Sequence, residues 1–281
     1  MPLIVFSKGN LAGETIAKKL IGNHGFIETN AVKSDDGKYE WKCWNNGKIM
    51  MLELSTMHIF SDYLKDYPLF NSGDLIVMLS THRSETSAPS VSVHSCGNFG
   101  NSNKLGGNPS ELGHSSGAAL KVGLEFLMNN PLDGFPAFTE ATHHGPTTLK
   151  SPIVWVEIGS SEKEWANEAA AELMANCALE IANKWKRGEK AHPEDKTAIG
   201  FGGTHYCAKF SRLMLEEKYE LAYVCSKHNL DDVGAEIIRQ ALAKSSEKIE
   251  IALIEKKSMN AALREKIIAA LNEANLPYEL V

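Results

Sequence analysis

The chain has 281 residues, 43% hydrophobic and 23% charged, with a formal net charge of -6. That is an ordinary globular composition with ample material for a core, and it excludes a protein that coats duplex nucleic acid by neutralising phosphates. No apolar run approaches the roughly 20 residues that span a bilayer, and the start MPLIVFSKGN lacks a signal peptide's charged region and cleavage pattern, so a cytoplasmic, membrane-free protein is expected. In chain order, Leu3 to Phe6 reads as a strand, followed by a glycine-containing turn and a helix over about Ala12 to Leu20. Tyr39 to Trp44 and Lys48 to Leu54 flank Asn46-Gly47, a hairpin signal. Strands are predicted at 75–79 and 90–94, and the Gly-, Asn-, Ser- and Pro-rich stretch Asn98 to Gly113 as a functional loop.

A helix is predicted from near Ser115 to near Asn129, stopped by Pro131. Pro136 and Pro146 bracket Phe138 to Pro146 (FTEATHHGP), which favours a short strand or turn running into a loop. Ile153 to Ile158 is a strand, and Ser161 with Glu164 forms a capping box opening a long helix to about Trp185. The polar run Lys186 to Lys196, with Pro193, is the best candidate boundary between a main α/β core over 1–190 and a C-terminal α/β lobe over 191–281. Strands at 197–201, 220–225 and 248–254 and helices at 231–244 and 260–274 follow, with a last extended piece at 278–281. The alternation predicts an α/β fold, a mixed, largely parallel sheet with helices on both faces.

Polar groups recur where apolar runs stop. Leu75 to Leu79 runs into Ser80, Thr81, His82, Arg83, Ser84 and Glu85; Ile153 to Ile158 carries Glu157; Thr197 to Phe201 runs into Gly202, Gly203, Thr204, His205 and Tyr206. FTEATHHGP places Glu140 three and four residues before His143 and His144. Glu140 and His144 share a face in either helical or strand period, whereas His143 joins them only in a helix. Ligands of open α/β sheets bind outside the carboxyl ends of the strands, so the repetition predicts one shared site. His-rich surface loops would explain any one segment, but not all of them together. His82, Glu140, His143, His144 and His205 form the expected polar centre, with Glu157 as orienter and His94 as an outer member. His144 or His205 is the expected base. Arg83, Thr204, Tyr206 and the amides of Gly202 and Gly203 are the expected contacts to substrate or oxyanion.

Gly113-His114-Ser115-Ser116-Gly117 matches G-x-S-x-G, yet no apolar strand precedes it, so Ser115 is rejected as a triad nucleophile. A helix N-terminus fits better, with His114, Ser115 and Ser116 contacting an anionic substrate group or simply capping the helix. His94 and Cys96 could pair as a thiolate nucleophile, but a cysteine at such a position is more commonly a small hydrophobe. Five scattered cysteines without a CxxC pair predict reduced thiols and no thiolate zinc knuckle.

The segments THRSE (81–85), SVHSCGNFG (92–100), GHSSGAALKVGLEFL (113–127), FTEATHHGPTTLKSPIVWVEIGSSEKEW (138–165) and FGGTHYCAKFSRL (201–213), with Lys257, Ser258 and Met259, make the chain resemble the archaeal- and plant-type D-aminoacyl-tRNA deacylases. The resemblance implies hydrolysis of the ester joining a D-amino acid to the terminal ribose of tRNA. It also implies a fold similar to peptidyl-tRNA hydrolases and nucleoside phosphorylases. The expected partner is the aminoacyl-tRNA acceptor end, gripped by Lys184, Lys186, Arg187 and Lys190 or by Lys209 and Arg212; no obligate protein partner is expected. Zinc is the implied cofactor, with Glu140 and His144, aided by His205 or His82, as candidate ligands. Two alternatives remain at this stage: another histidine- or zinc-dependent hydrolase of small esters or amides, and a non-enzymatic tRNA or nucleotide binder.

Overall fold

The computed structural model describes residues 2–84 and 88–281, and Glu85 lies outside the described residues. The elements are β1 (Leu3–Ser7), α1 (Leu11–Asn23), β2 (Ile27–Glu28), β3 (Val32–Lys33), β4 (Glu40–Asn45), β5 (Met50–Leu54), β6 (Ile76–Arg83), β7 (Ser90–His94) and α2 (Gly117–Asn129). Then come β8 (Ala137–Thr139), β9 (Ile153–Ser160), α3 (Glu162–Trp165), α4 (Glu168–Lys184), β10 (Lys196–Phe201) and α5 (Ala208–Glu216). The chain ends with β11 (Tyr219–Cys225), α6 (Ala235–Lys244), β12 (Ile251–Ile254), α7 (Ala261–Glu273) and β13 (Tyr278–Leu280).

The larger sheet runs β2-β4-β5-β1-β6-β9-β7-β8, with β3 pairing β4. Its centre is parallel, β5 with β1, β1 with β6 and β6 with β9, while β4 and β7 join antiparallel. The smaller sheet, β11-β10-β12-β13, is parallel throughout. The sheet is therefore mixed and largely parallel, as the alternation of elements requires.

Strand pleating sorts the core into layers. Ile4 and Phe6 of β1 pack with apolar residues of α1, α2 and α4, while Leu3 and Val5 face Trp41, Tyr67 and Trp155. Each fully buried Ile or Phe of this kind contributes about 2 kcal/mol. Helices cover both faces of the smaller sheet; the second face of the larger one is covered by the 3-10 segment His58–Asp66 and loops. Ala198, Phe210, Leu221 and Val224 share one core cluster with α1 and α4.

Three predicted boundaries shift. The long helix expected from Ser161 breaks into α3 and α4, because the Trp165 indole is held by the His82 carbonyl (3.1 Å) and the Asn167 side chain caps a new helix at Ala170 N (2.9 Å). The Ser161 hydroxyl donates to the Glu164 carboxylate instead of accepting a backbone N–H. The helix expected at 231 starts at Ala235, behind a 3-10 turn Leu230–Asp232, and the strand expected at 248 starts at Ile251. All five cysteines are buried and unbridged. No helix among the described residues is long and apolar enough to cross a membrane.

Candidate active site

Register places the acid. Glu157 of β9 lies opposite Ser80 of β6 and Ser92 of β7, and the pleat turns His82 and His94, two residues further along those strands, to the same face. Glu140 arrives from elsewhere. β8 pairs with β7 from Val91↔Ala137 to Val93↔Thr139, and the chain then crosses to the smaller sheet. Ala141 N donates to His205 O (2.9 Å), Thr142 N to Val224 O (2.9 Å) and Cys207 N to Thr139 O (3.1 Å). The segment read as a strand running into a loop is thus the seam between the two sheets, and it brings the loop after β10 against the ends of β6 and β7.

Glu140 is the hub. Its Oε2 lies 2.6 Å from His205 Nε2, 3.2 Å from His82 Nδ1 and 4.0 Å from His143 Nε2. Glu157 Oε2 lies 3.7 Å from His82 Nδ1 and 3.6 Å from His94 Nε2. Tyr206 OH meets His82 Nε2 at 2.8 Å. The ring centroids of His94 and His143 stand 4.3 Å apart, those of His143 and His205 4.7 Å, and His144 packs edge-on against Trp155 at 4.4 Å. The expected convergence of segments 82, 140–144, 157 and 205 is therefore realised.

Burial opposes charge at every member, and the pairs decide the outcome. His82 is driven against burial by contacts with Glu140 and Glu157, which carry its pKa up to about 11. His94 also rises, since its contact with Glu157 outweighs burial. Glu140 is held well below the usual carboxylate range because His205 and His82 outweigh burial, and Glu157 is lowered in the same way by His82 and His94. His143 falls well below its ordinary value, and His144 falls to about 3, through burial first and neighbouring imidazoles second.

Hydrogen bonds orient the remaining rings. Nδ1 of His94, His143 and His144 faces the carbonyls of Ser95 (3.0 Å), Ala141 (2.8 Å) and Gly145 (2.9 Å), so each Nδ1–H donates; Nε2 of His143 and His144 is left as a lone pair, while Nε2 of His94 faces Glu157 Oε2. Beside His143 and His144 lies a cavity of about 200 Å³, lined also by Gly97, Phe99, Asn229 and Asp232. The predicted 98–113 loop forms its wall; the Asn98 side chain donates to the carbonyls of Gly106 (2.9 Å) and Asn108 (3.0 Å).

Among the described residues three donor sets are compact enough for a metal, namely His94, His143 and His144; His82, Glu140 and His205; and His94, Glu140 and Glu157, with the ligand atoms of each set within 4.8 Å of one another. His94 Nε2, both Glu140 oxygens and His205 Nε2 are buried without a hydrogen bond, the Glu140–His205 approach being short but off the hydrogen-bonding direction. Orphaned buried donors of this type fit a cation. The combination Glu140, His144 and His205 is not among the compact sets, because the backbone reverses at His144 (φ 49°) and turns its ring away from Glu140 toward Trp155.

Other expected contacts lie elsewhere. The amides of Gly202 and Gly203 are spent on Cys225 O (2.9 Å) and Ser258 Oγ (2.7 Å), so neither is an oxyanion donor. Thr204 is exposed at the rim, its hydroxyl 3.4 Å from Tyr206 O. Arg83 points to the opposite face from His82 and lies over the Trp165 ring, 4.6 Å from its centroid. Ser115 and Ser116 are fully buried, donating to Ala222 O (2.6 Å) and Glu247 Oε1 (2.6 Å). The N-terminus of α2 does hold a carboxylate, but it is the protein's own: Gly117 N donates to Glu247 Oε2 at 2.9 Å. His114, next to this buried junction, is likewise outside the cluster; its N-terminal neighbour Gly113 accepts from Tyr223 OH (2.8 Å). Cys96 is buried with its thiol pushed up to about 12 by burial, the small-hydrophobe role rather than the nucleophile. Sequence reading missed Asn229 and Asp232, although SKHNLDD after β11 repeats the same strand-then-polar-loop pattern.

A largely parallel α/β sheet whose strand ends gather five imidazoles around two buried carboxylates defines a centre of hydrolytic type. The sequence profile of the D-aminoacyl-tRNA deacylases matches residues 69–279. The D-aminoacyl-tRNA deacylase of Methanosarcina mazei is 35% identical over 82% of this chain and 76% of its own length. That of Pyrococcus furiosus is 31% identical over 99% of each. A crystal structure of a conserved protein of unknown function aligns with a TM-score of 0.82 and 28% identity, covering 100% of this chain and 95% of the other. The chain belongs to the D-aminoacyl-tRNA deacylase family.

Proposed function

We propose that this protein is a cytoplasmic enzyme that hydrolyses the ester of D-aminoacyl-tRNA, releasing the free D-amino acid and tRNA. The observation that carries this is the convergence of His82, His143 and His205 on the buried Glu140 carboxylate beside a cavity of about 200 Å³, in a chain of this family. An aminoacyl ester is already activated, so the site must position a water, remove its proton and stabilise the tetrahedral oxyanion.

His205 is the base. Its Nε2 lies 2.6 Å from Glu140 Oε2 while 41% of the side chain is exposed, which puts the ring at the water-accessible edge of the site. Glu140 stabilises the imidazolium that forms. His82, charged and bridging Glu140 and Glu157, holds Glu140 in place and keeps Tyr206 OH at the site's edge. The protonated His205 then returns the proton to the ribose oxygen as the ester bond breaks. In the cavity, Asp232 offers a carboxylate for the substrate's α-ammonium, and the wall of residues 97–102 selects the hand of the side chain by shape.

Zinc fits His94, His143 and His144, whose Nδ1–H groups already donate to carbonyls as metal-bound imidazoles do. The chemistry such an ion supplies when bound is acidification of a water and polarisation of the ester carbonyl. The test is product balance with wild-type and His205→Ala protein: equimolar D-amino acid and rechargeable tRNA from wild type, and a rate ~10²–10⁴-fold lower in the variant. Release no faster than spontaneous hydrolysis in both would sink the proposal.

A further inference from the structure

Two basic stretches of the chain are candidates for gripping a polyanion, and their surroundings separate them. In the first, Lys184 lies 2.7 Å from Glu180, Lys186 lies 3.1 Å from Glu189, and Lys190 pairs with Glu250. The charge of these three lysines is paired locally. The second begins with α5, which starts three residues after His205 and carries Lys209 and Arg212 on neighbouring positions one turn apart. The 3-10 turn Lys256–Ser258 is docked against the same loop, because Gly203 N donates to Ser258 Oγ at 2.7 Å.

The result is a groove of about 690 Å³ lined by Lys209, Arg212, Lys256 and Lys257, with Glu255 as its one acidic side chain. The Glu255 carboxylate accepts from the Ser258 hydroxyl. Arg212 has an exposed partner, Glu216, at 3.6 Å, whereas no salt bridge joins Lys209, Lys256 or Lys257 to another described residue. On a chain of net charge -6, four cationic side chains beside Glu255 and Val281 form a local reversal of sign on the helix and turn that flank the His205 loop.

We propose that this groove holds the phosphodiester backbone of the tRNA acceptor end and directs its 3′ ester toward His205. The identity of the polyanion rests on the deacylase reading; the groove itself rests on charge and position. Phosphate contacts release counterions, so binding through the groove must weaken linearly in log-log form as salt rises.

The experiment measures binding of uncharged tRNA against salt concentration for wild type, Lys256→Ala/Lys257→Ala, Lys256→Arg/Lys257→Arg, and a control, Lys184→Ala/Lys186→Ala. The double alanine variant is expected to flatten the slope of log K against log salt by about 2, and the arginine variant and the control to keep the wild-type slope. In turnover, the alanine variant is expected to raise KM for D-aminoacyl-tRNA with kcat retained, and to hydrolyse D-aminoacyl-adenosine, which has no phosphate, at the wild-type rate. An unchanged slope, or an equal loss in the control, overturns the groove. Salt-dependent tRNA binding at the groove without any deacylation by wild type would instead sink the enzymatic reading and leave the groove standing.

Discussion

Replacing Glu247 by Gln tests the buried joint between α2 and the segment that follows α6. Glu247 is 2% exposed and accepts from Ser116 Oγ (2.6 Å) and Gly117 N (2.9 Å). Burial raises its pKa, the Ser116 hydrogen bond opposes this, nearby Glu220 adds to it, and the result is about 7 against an ordinary 4.5. Because the folded value is the higher one, the stabilisation is complete below about pH 4.5 and disappears as pH rises through 7. A carboxyl displaced that far costs the fold about 3 kcal/mol once ionised. Glutamine reproduces the protonated acid, its oxygen accepting from Gly117 and its NH₂ donating to Ser116. Thermal melting should therefore give equal Tm values for wild type and Glu247→Gln near pH 4.5, and a Tm about 6 °C higher for the variant at pH 8, at about 2 °C per kcal/mol. A gap of the same size at both pH values would refute the titration argument.

Glu140→Gln should lower single-turnover deacylation by at least ~10²-fold while the His82 pKa falls as one of its two carboxylate partners is lost, observable by NMR of the imidazole; a wild-type rate would remove Glu140 from the chemistry. A zinc chelator should abolish activity and added zinc restore it, with the metal retained stoichiometrically by active protein; full activity of metal-free protein would leave His94, His143 and His144 as hydrogen-bonding residues only. Gly106→Ala should lower Tm and raise KM, because Gly106 sits at φ 84° and a Cβ there would come within 2.0 Å of Ile59 O; the conformational part alone costs about 1 kcal/mol or more. Wild-type stability and KM would show that this loop tolerates the change.

The members of the centre were legible in the chain because each stands where an apolar strand stops, and parallel strands deliver such positions to one edge. His82, Glu157 and His205 followed from that pattern alone. Their pairing did not. The contact between Glu140 and His205 depends on the seam that Ala141 and Thr142 make with the smaller sheet, and no local period encodes a hydrogen bond to a strand more than 60 residues away. The same limit explains why Glu140, His144 and His205 do not form a compact set: i,i+4 spacing put His144 beside Glu140, but the positive φ at His144 breaks the period. At Ser116 the anion predicted for a helix N-terminus is present, and only coordinates reveal that Glu247 supplies it. Glycine amides at 202 and 203 looked free in sequence because Ser258 and Cys225, which use them, lie far along the chain.

The most direct measurement is the single-turnover rate of purified protein on matched D- and L-aminoacyl-tRNAs carrying the same side chain. The D-ester should be cleaved at an enzymatic rate that falls with His205→Ala, while the L-ester decays only at its spontaneous rate. Equal cleavage of both hands, or cleavage of the D-ester that His205→Ala leaves untouched, would contradict a chiral hydrolytic centre built on Glu140 and His205.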